Sequence, residues 1–564
     1  MAENDRMTEK VNNEGSEKNK RRIWRMAFFF LLCMQVLTLL YFGNKKAGFH
    51  EDEYYSYYST NRTAGLREPD REWMEREDFY DEFVVKEGEG FRYGLVATVQ
   101  SWDVHPPFFY FIFHTACSLF PGVFSKWLGI GVNILAFVIN FLLLMWLGDM
   151  VTNKNKPLTF AITAAYGFNA VIISGVMFIR MYEWLTVFVL LCACLHVRAV
   201  KRNDLSIKSF LLPLMAVTYL GFLTQYYYII YLFFIAFGFC LWLLWRDRKL
   251  WNCLKYGAGC AAALLLAVIS YPASLSHIFR GYRGTGAASE FLNTANTGER
   301  LGFFAGLMND YLFDGFLWLW IAVIAVMAAI LFFLKKKSGT KPAETENTPR
   351  KDHGKSSQSL LPCLLLLIAA GGYFFTVSKT ALLLYETSNR YQIPIYGILL
   401  LLVFTALYEM GKRIAEAVYG GNRALKIWYK AAPAVLLLLF LMGDMHELLT
   451  GKVIFLYEEE GALVEYAKEN AHQPVIILYN DATPYHVWWC AQELMQYDRV
   501  YFASEANQEK IEDRTICGSD KIIVYAADYE TKEKSLDSIL ESNSGLSGYE
   551  LVAQKSLWSV YEFK

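Results

Sequence analysis

The chain has 564 residues, 54% of them hydrophobic and 16% aromatic, with a positive mean hydropathy. That composition excludes a soluble globule of this size and indicates a polytopic membrane protein. The formal net charge of −1 is sorted into blocks rather than pooled on one basic face, so no nucleic-acid partner is expected.

A hydrocarbon core of about 30 Å takes roughly 17 to 25 apolar residues per helix. On that measure the sequence predicts eleven spans, at about 26–43, 125–148, 157–179, 181–198, 209–225, 226–245, 254–272, 311–334, 360–377, 392–409 and 431–448. Lys18–Arg22, Lys154/Lys156, Lys201-Arg202, Arg246–Lys249, Lys335–Lys337 and Lys412-Arg413 fall in every second loop. By the positive-inside rule those loops and the tail 1–25 are cytoplasmic. No small-residue cleavage site follows the first span, which reads as a retained anchor. Residues 106–120 are apolar but short, open with two prolines and contain His114. Counted as a span they would invert every later loop, so they are expected along the outer interface as a juxtamembrane helix.

On this topology 44–124 is an outer loop of a membrane module spanning 26–410. The Lys-, Thr-, Pro- and Ser-rich stretch 335–359 reads as a disordered cytoplasmic linker. Residues 411–450 hold the last cytoplasmic loop and span. From 451 to 564 apolar strands at Val475–Tyr479, Arg499–Phe502 and Lys521–Tyr525 alternate with amphipathic helices near 458–470, 484–497 and 531–542, predicting a small extracytoplasmic α/β domain. Most of the ten cysteines sit in apolar runs without ligand spacing. For Cys490 and Cys517, in the tail, the sequence leaves both a pair and two free thiols open.

The polar clusters gather at the outer ends of the spans. Asp52 and Glu53 follow the first span closely; a carboxylate there can take a proton from a hydroxyl or bind a metal, or belong to a solvated loop. Asp103-x-His105 can ligate a metal or grip a phosphate, and equally can open a helix before Pro106-Pro107. Arg180, between two apolar helices, faces protein, water or an anion, with Glu183 one turn away as an ordinary ion-pair partner. Arg280 and Arg283 in the loop after the seventh span, and Arg390 at the mouth of the tenth, are outward arginines suited to a phosphate, whether of a substrate or of ordinary phospholipid. Thr224-Gln225-Tyr226-Tyr227 forms the tip of an outer hairpin and is also what an aromatic belt looks like. No Walker loop, Cys-x-x-Cys or Gly-x-Ser-x-Gly occurs.

Taken in order, Asp52-Glu53, Asp103-x-His105-Pro106-Pro107, Arg180-Met181-Tyr182, Thr224-Gln225-Tyr226-Tyr227 and Arg390-Tyr391 with Pro394 resemble the polyprenyl-phosphate-dependent glycosyltransferases of the C-type membrane fold, specifically family 39 with its protein mannosyltransferases and aminoarabinose transferases. The resemblance covers roughly 25–410. It implies an α-helical polytopic fold and transfer of a sugar from a polyprenyl phosphate in the outer leaflet to a hydroxyl of a protein, lipid or envelope glycan, with inversion. It makes Asp52 the base with Glu53 beside it. It assigns His105, Arg180, Tyr182, Arg390 and Tyr391 to the donor phosphate, with Arg280 and Arg283 next in line. Asp103, His105 and Gln225 remain acceptor or metal candidates; a divalent cation is compatible with the residues and not required by them. Three departures stand out: Val176–Ile179 where many bacterial members have Gln-Glu, Gln225 where histidine is frequent, and His105 where the aminoarabinose enzymes have lysine. The implied location is a bacterial plasma membrane. The competing reading is a transporter or flippase for an envelope lipid or small solute, which would place its ionisable groups nearer mid-membrane.

Overall fold

The computed structural model describes residues 2–62, 68–338, 353–419, 423–507 and 509–564. Among these, ten helices are long and apolar enough to cross a bilayer, and the bent pair Lys156–Phe168 with Ala170–Met177 brings the number to eleven when taken as one broken span. Large apolar side chains such as Phe29, Phe30, Phe233, Phe237, Ile269 and Phe332 stand exposed on them, as a lipid-facing surface requires. The helix Phe108–Leu119 is short and apolar, in keeping with a juxtamembrane position. Most of the expected linker 335–359 lies outside the described residues.

The 54° bend of the third span has a local cause. Asn169 leaves the helical region at φ −69°, ψ 133° and accepts from the backbone N–H of Val171 (3.2 Å), so it caps a second helix in mid-span. Its own amide donates to Asp444 in the last span (2.9 Å). The second helix stops at Met177, and after four intervening residues the helix Tyr182–Arg202 begins. This break exposes backbone groups that must be satisfied inside the protein. Asn133 donates to the carbonyls of Val176 (3.1 Å) and Phe178 (2.7 Å), and Glu53 accepts from the N–H of Ile179 (2.8 Å). The helix Lys126–Val151 passes so close that a Cβ on Gly129 would lie 2.2 Å from the Ile179 side chain. Arg180 sits in this braced break.

The tail folds as a sheet with helices. The sheet has six strands, β1 (Glu72–Glu75), β2 (Val475–Tyr479), β3 (Arg499–Ser504), β4 (Ile522–Ala527), β5 (Tyr549–Lys555) and β6 (Trp558–Phe563), in the order β1-β3-β2-β4-β6-β5, five of them from the tail. The central three are parallel and the outer ones antiparallel. β2 is buried on both faces, which explains its unbroken apolar run. Val475, Ile477 and Tyr479 face Leu463, Ala467, Trp488 and Leu494, in a core continuous with that of the membrane helices. Ile476 and Leu478 face Ile516, Leu536 and Ile539. β1 is a surprise: it comes from the outer loop and pairs with β3, Glu75 opposite Arg499. Cys490 and Cys517 are both free.

Candidate active site

The site is built on the helix Glu51–Asn61, which starts a few residues after the first span. His50 caps it: its Nδ1 accepts from the N–H of Asp52 (3.1 Å), while Glu53 accepts from the N–H of His50 (2.6 Å). Burial, the largest influence, keeps the His50 imidazole neutral, with its pKa lowered to about 3. Adjacent carboxylates on this helix point to different places. Glu53 is fully buried, takes the Lys46 ammonium at 2.9 Å and braces Ile179. Lys46 also donates to the carbonyl of Phe455 (2.6 Å). Glu53 therefore knots the first span, the break before Arg180 and the start of the C-terminal region, and both its oxygens are engaged away from Asp52.

Asp52 is 21% exposed and meets two buried arginines. Arg390 reaches Oδ2 at 2.9 Å and Arg180 reaches Oδ1 at 3.8 Å. Burial would raise its pKa, but Arg180 and Arg390 together outweigh that and hold the carboxyl well below the usual aspartate range. Arg180 also donates to the backbone carbonyl of Asp52 (3.2 Å), to Ser56 (3.3 Å) and to the Tyr110 hydroxyl (3.0 Å). Its other amino group lies 3.2 Å from Nε2 of His105. A guanidinium only donates, so Nε2 accepts and the His105 proton is on Nδ1, which bonds Asp103 at 2.7 Å. The Asp103 carboxyl is lowered to about 2: burial opposes the shift, and His105 and then Arg180 prevail. Glu183 does not pair with Arg180; it accepts from Asn140 (3.1 Å).

Arg390 comes from the single-turn 3-10 helix Thr387–Tyr391. Its guanidinium lies 5.1 Å from the ring centres of both Phe178 and Tyr391, an aromatic slot that holds a cation in one plane. Tyr182 stacks on Phe178 and meets Tyr391 edge-on, and Phe455 stacks on Phe178 at 4.2 Å. The sequence thus points to Arg180, Tyr182, Arg390, Tyr391, Asp103 and His105, and the fold gathers all of them around Asp52. Arg283, although exposed, lines the same cavity of about 1130 Å³ as Asp52, Asp103, His105 and Arg180. Arg280 is exposed and makes none of these contacts. Gln225 is buried as the C-cap of the helix Leu212–Thr224; its neighbour Tyr226 instead meets His277, which reaches the carbonyl of Ser101 (3.2 Å).

Among the described residues no three His, Cys, Asp or Glu side chains converge as a metal site. Tyr110, Ser56, Phe178 and Phe455 contribute to the site without having been legible as site residues. A hydroxyl within the phenyl run 108–113 is the one sign of Tyr110, and Phe178 stands in a stretch read only as a departure from a pattern.

No protein-family model matches the chain, and no curated protein does. Solved structures do. ArnT from Cupriavidus metallidurans bound to undecaprenyl phosphate is similar over 95% of this chain and 97% of that one, at 11% identity and a TM-score of 0.52. The Archaeoglobus fulgidus oligosaccharyltransferase tethered with an acceptor peptide is a more distant likeness: 13% identity, 82% of this chain, 63% of that one, TM-score 0.42. The chain has the C-type membrane glycosyltransferase fold.

Proposed function

We propose that the chain is an integral membrane glycosyltransferase that moves a sugar from a polyprenyl phosphate to a hydroxyl acceptor, with inversion at the sugar. The observation that carries this reading is the Asp52 carboxylate set against two buried guanidiniums whose Nε–H groups have no partner. Buried donors without acceptors are costly, and a phosphate offers oxygens of the right charge and geometry. The undecaprenyl phosphate held by ArnT supports a lipid of that kind as partner.

The chemistry follows from these groups. The leaving group is already a phosphate, so the site needs a base for the acceptor and cations for the charge that develops. The acceptor hydroxyl gives its proton to Asp52 while its oxygen bonds the anomeric carbon. The carbon–oxygen bond to the phosphate breaks, and the electron pair stays on the phosphate oxygen, facing Arg390 and Arg180. His105, oriented by Asp103, keeps Arg180 in place. A carboxylate paired with two arginines is a weak base; the phosphate, by competing for the same guanidiniums, restores its basicity. No carboxylate nucleophile is required, which favours a single displacement.

The alternating basic loops support an orientation with the N-terminus cytoplasmic and the site outside, and a bacterial plasma membrane is the location proposed with it. The reading is tested by supplying purified protein with polyprenyl-phosphate sugars and an envelope extract and following free polyprenyl phosphate. Release by the wild type is expected. Movement of the intact lipid or solute across vesicles with no release would replace the transferase by a transporter or flippase.

A further inference from the structure

Asp52 and Arg180 occupy part of the 1130 Å³ cavity, and beyond them its lining turns aromatic. On the helix Glu51–Asn61 the cavity is bounded by Asp52, Tyr55 and Ser59, one face at spacings of three and four residues. It therefore follows the helix for about 10 Å past the carboxylate, at about 1.5 Å per residue. The C-terminal domain supplies a further wall through Tyr485 and Trp488 of the short helix Pro484–Cys490. Trp488 packs 4.8 Å from Tyr55 and 4.4 Å from Tyr58, ring centre to ring centre. Trp102, 68% exposed, is also part of the lining. One drug-sized ligand fills roughly 300 to 1,000 Å³, so this cavity has room for a second ligand beside a monosaccharide and its phosphate.

We propose that this aromatic arm binds a carbohydrate, so that the acceptor hydroxyl belongs to a glycan. The inference rests on the glycosyltransferase reading and names its acceptor. A pyranose presents C–H faces, which lie well on the electron-rich faces of Tyr and Trp rings, and a rim of hydroxyls. Glu51, Asp103 and Ser59, in the same lining, are acceptors for that rim. An interfacial aromatic belt does not account for Tyr485 and Trp488, which belong to the α/β domain and not to a span. A peptide added as a strand would need a free sheet edge, and neither β1 nor β5 takes part in this lining.

The test uses full-length protein in detergent with a labelled polyprenyl-phosphate sugar, a purified envelope polysaccharide fraction and, separately, a deglycosylated envelope-protein fraction. Label is expected in the polysaccharide. Tyr485→Ala and Trp102→Ala are expected to raise its half-saturating concentration at least tenfold, the loss falling there rather than on turnover at saturation, with Tyr485→Phe recovering most of it. Binding of the fluorescently labelled polysaccharide without donor is measured in parallel and should weaken in the same variants. Label entering only protein, equal half-saturation in all variants, or no polysaccharide binding by the wild type overturns the proposal. Polysaccharide binding by the wild type with no donor consumed would overturn the transferase reading instead, and with it the role of the glycan as acceptor.

Discussion

Two neighbouring carboxylates, Asp52 and Glu53, have opposite fates because a helix points consecutive side chains in different directions. Asp52 faces the cavity and its arginines; Glu53 faces the protein. On the proposed mechanism Asp52→Asn keeps size and polarity but removes the base, so turnover should fall about 10²- to 10⁴-fold, while donor binding is kept or tightened because the carboxylate no longer competes for Arg390 and Arg180. Release of lipid phosphate at the wild-type rate would remove Asp52 from the chemistry. The pH dependence follows from the same ion pairs. A base whose pKa is lowered stays ionised as pH falls through the ordinary aspartate value of about 3.9, so the acid limb of kcat/KM, which reports the free enzyme, is expected below it. On the proposed mechanism donor phosphate competes for Arg390 and Arg180, so the limb of kcat, which reports the complex, should sit higher; coincident limbs would contradict that exchange. Arg390→Lys swaps a planar fork between two rings for a point charge. Donor affinity should drop at least tenfold, measured with a labelled polyprenyl phosphate, whereas unchanged affinity would move the anion site elsewhere.

The Lys46–Glu53 pair shows what one buried contact does for whole elements. Both side chains are fully buried, and removing one partner of such a pair costs about 3–5 kcal/mol because a charge is left uncompensated. Glu53→Gln should therefore lower the melting temperature in detergent, and the double variant Lys46→Met with Glu53→Gln should recover much of it, since Gln still accepts from Ile179. A loss in the double as large as in the single would deny the pair its role. At this scale the sequence was informative where pattern and physics coincide. Hydropathy located the spans, and the parallel strands stood out as apolar runs because both of their faces are covered. Asn169 was not legible: an asparagine inside an apolar run carries no sign that it will cap a new helix and bend the span. β5 was missed for a similar reason, since it is largely exposed and bulged between Leu551 and Ala553 and has no clean alternation; β6, buried along nearly its whole length, was missed with it. At the site, sequence order brought out the charged residues, but the aromatic slot around Arg390 is assembled from residues far apart in the chain and appears only in the fold.

For the whole molecule, the alternating basic loops make a topological prediction. In a cysteine-depleted background, a membrane-impermeant thiol reagent should label Glu87→Cys and Lys510→Cys in intact cells and spare Lys154→Cys. Labelling of Lys154→Cys alone would reverse the orientation. The strand lent by the outer loop to the distal sheet has a consequence for biosynthesis. Arg71 and Asn507 are hydrogen-bonded across 436 residues of chain, so the loop that carries Asp52 reaches its side of the membrane long before the strand that anchors it has been made. Contacts this remote in sequence form late. Until the ribosome has delivered the tail, the loop has no edge to join, and Phe455 is not yet stacked on Phe178. A nascent or truncated chain inserted in the bilayer would hold the lipid-facing helices and lack a finished site, which ties completion of the site to the end of translation.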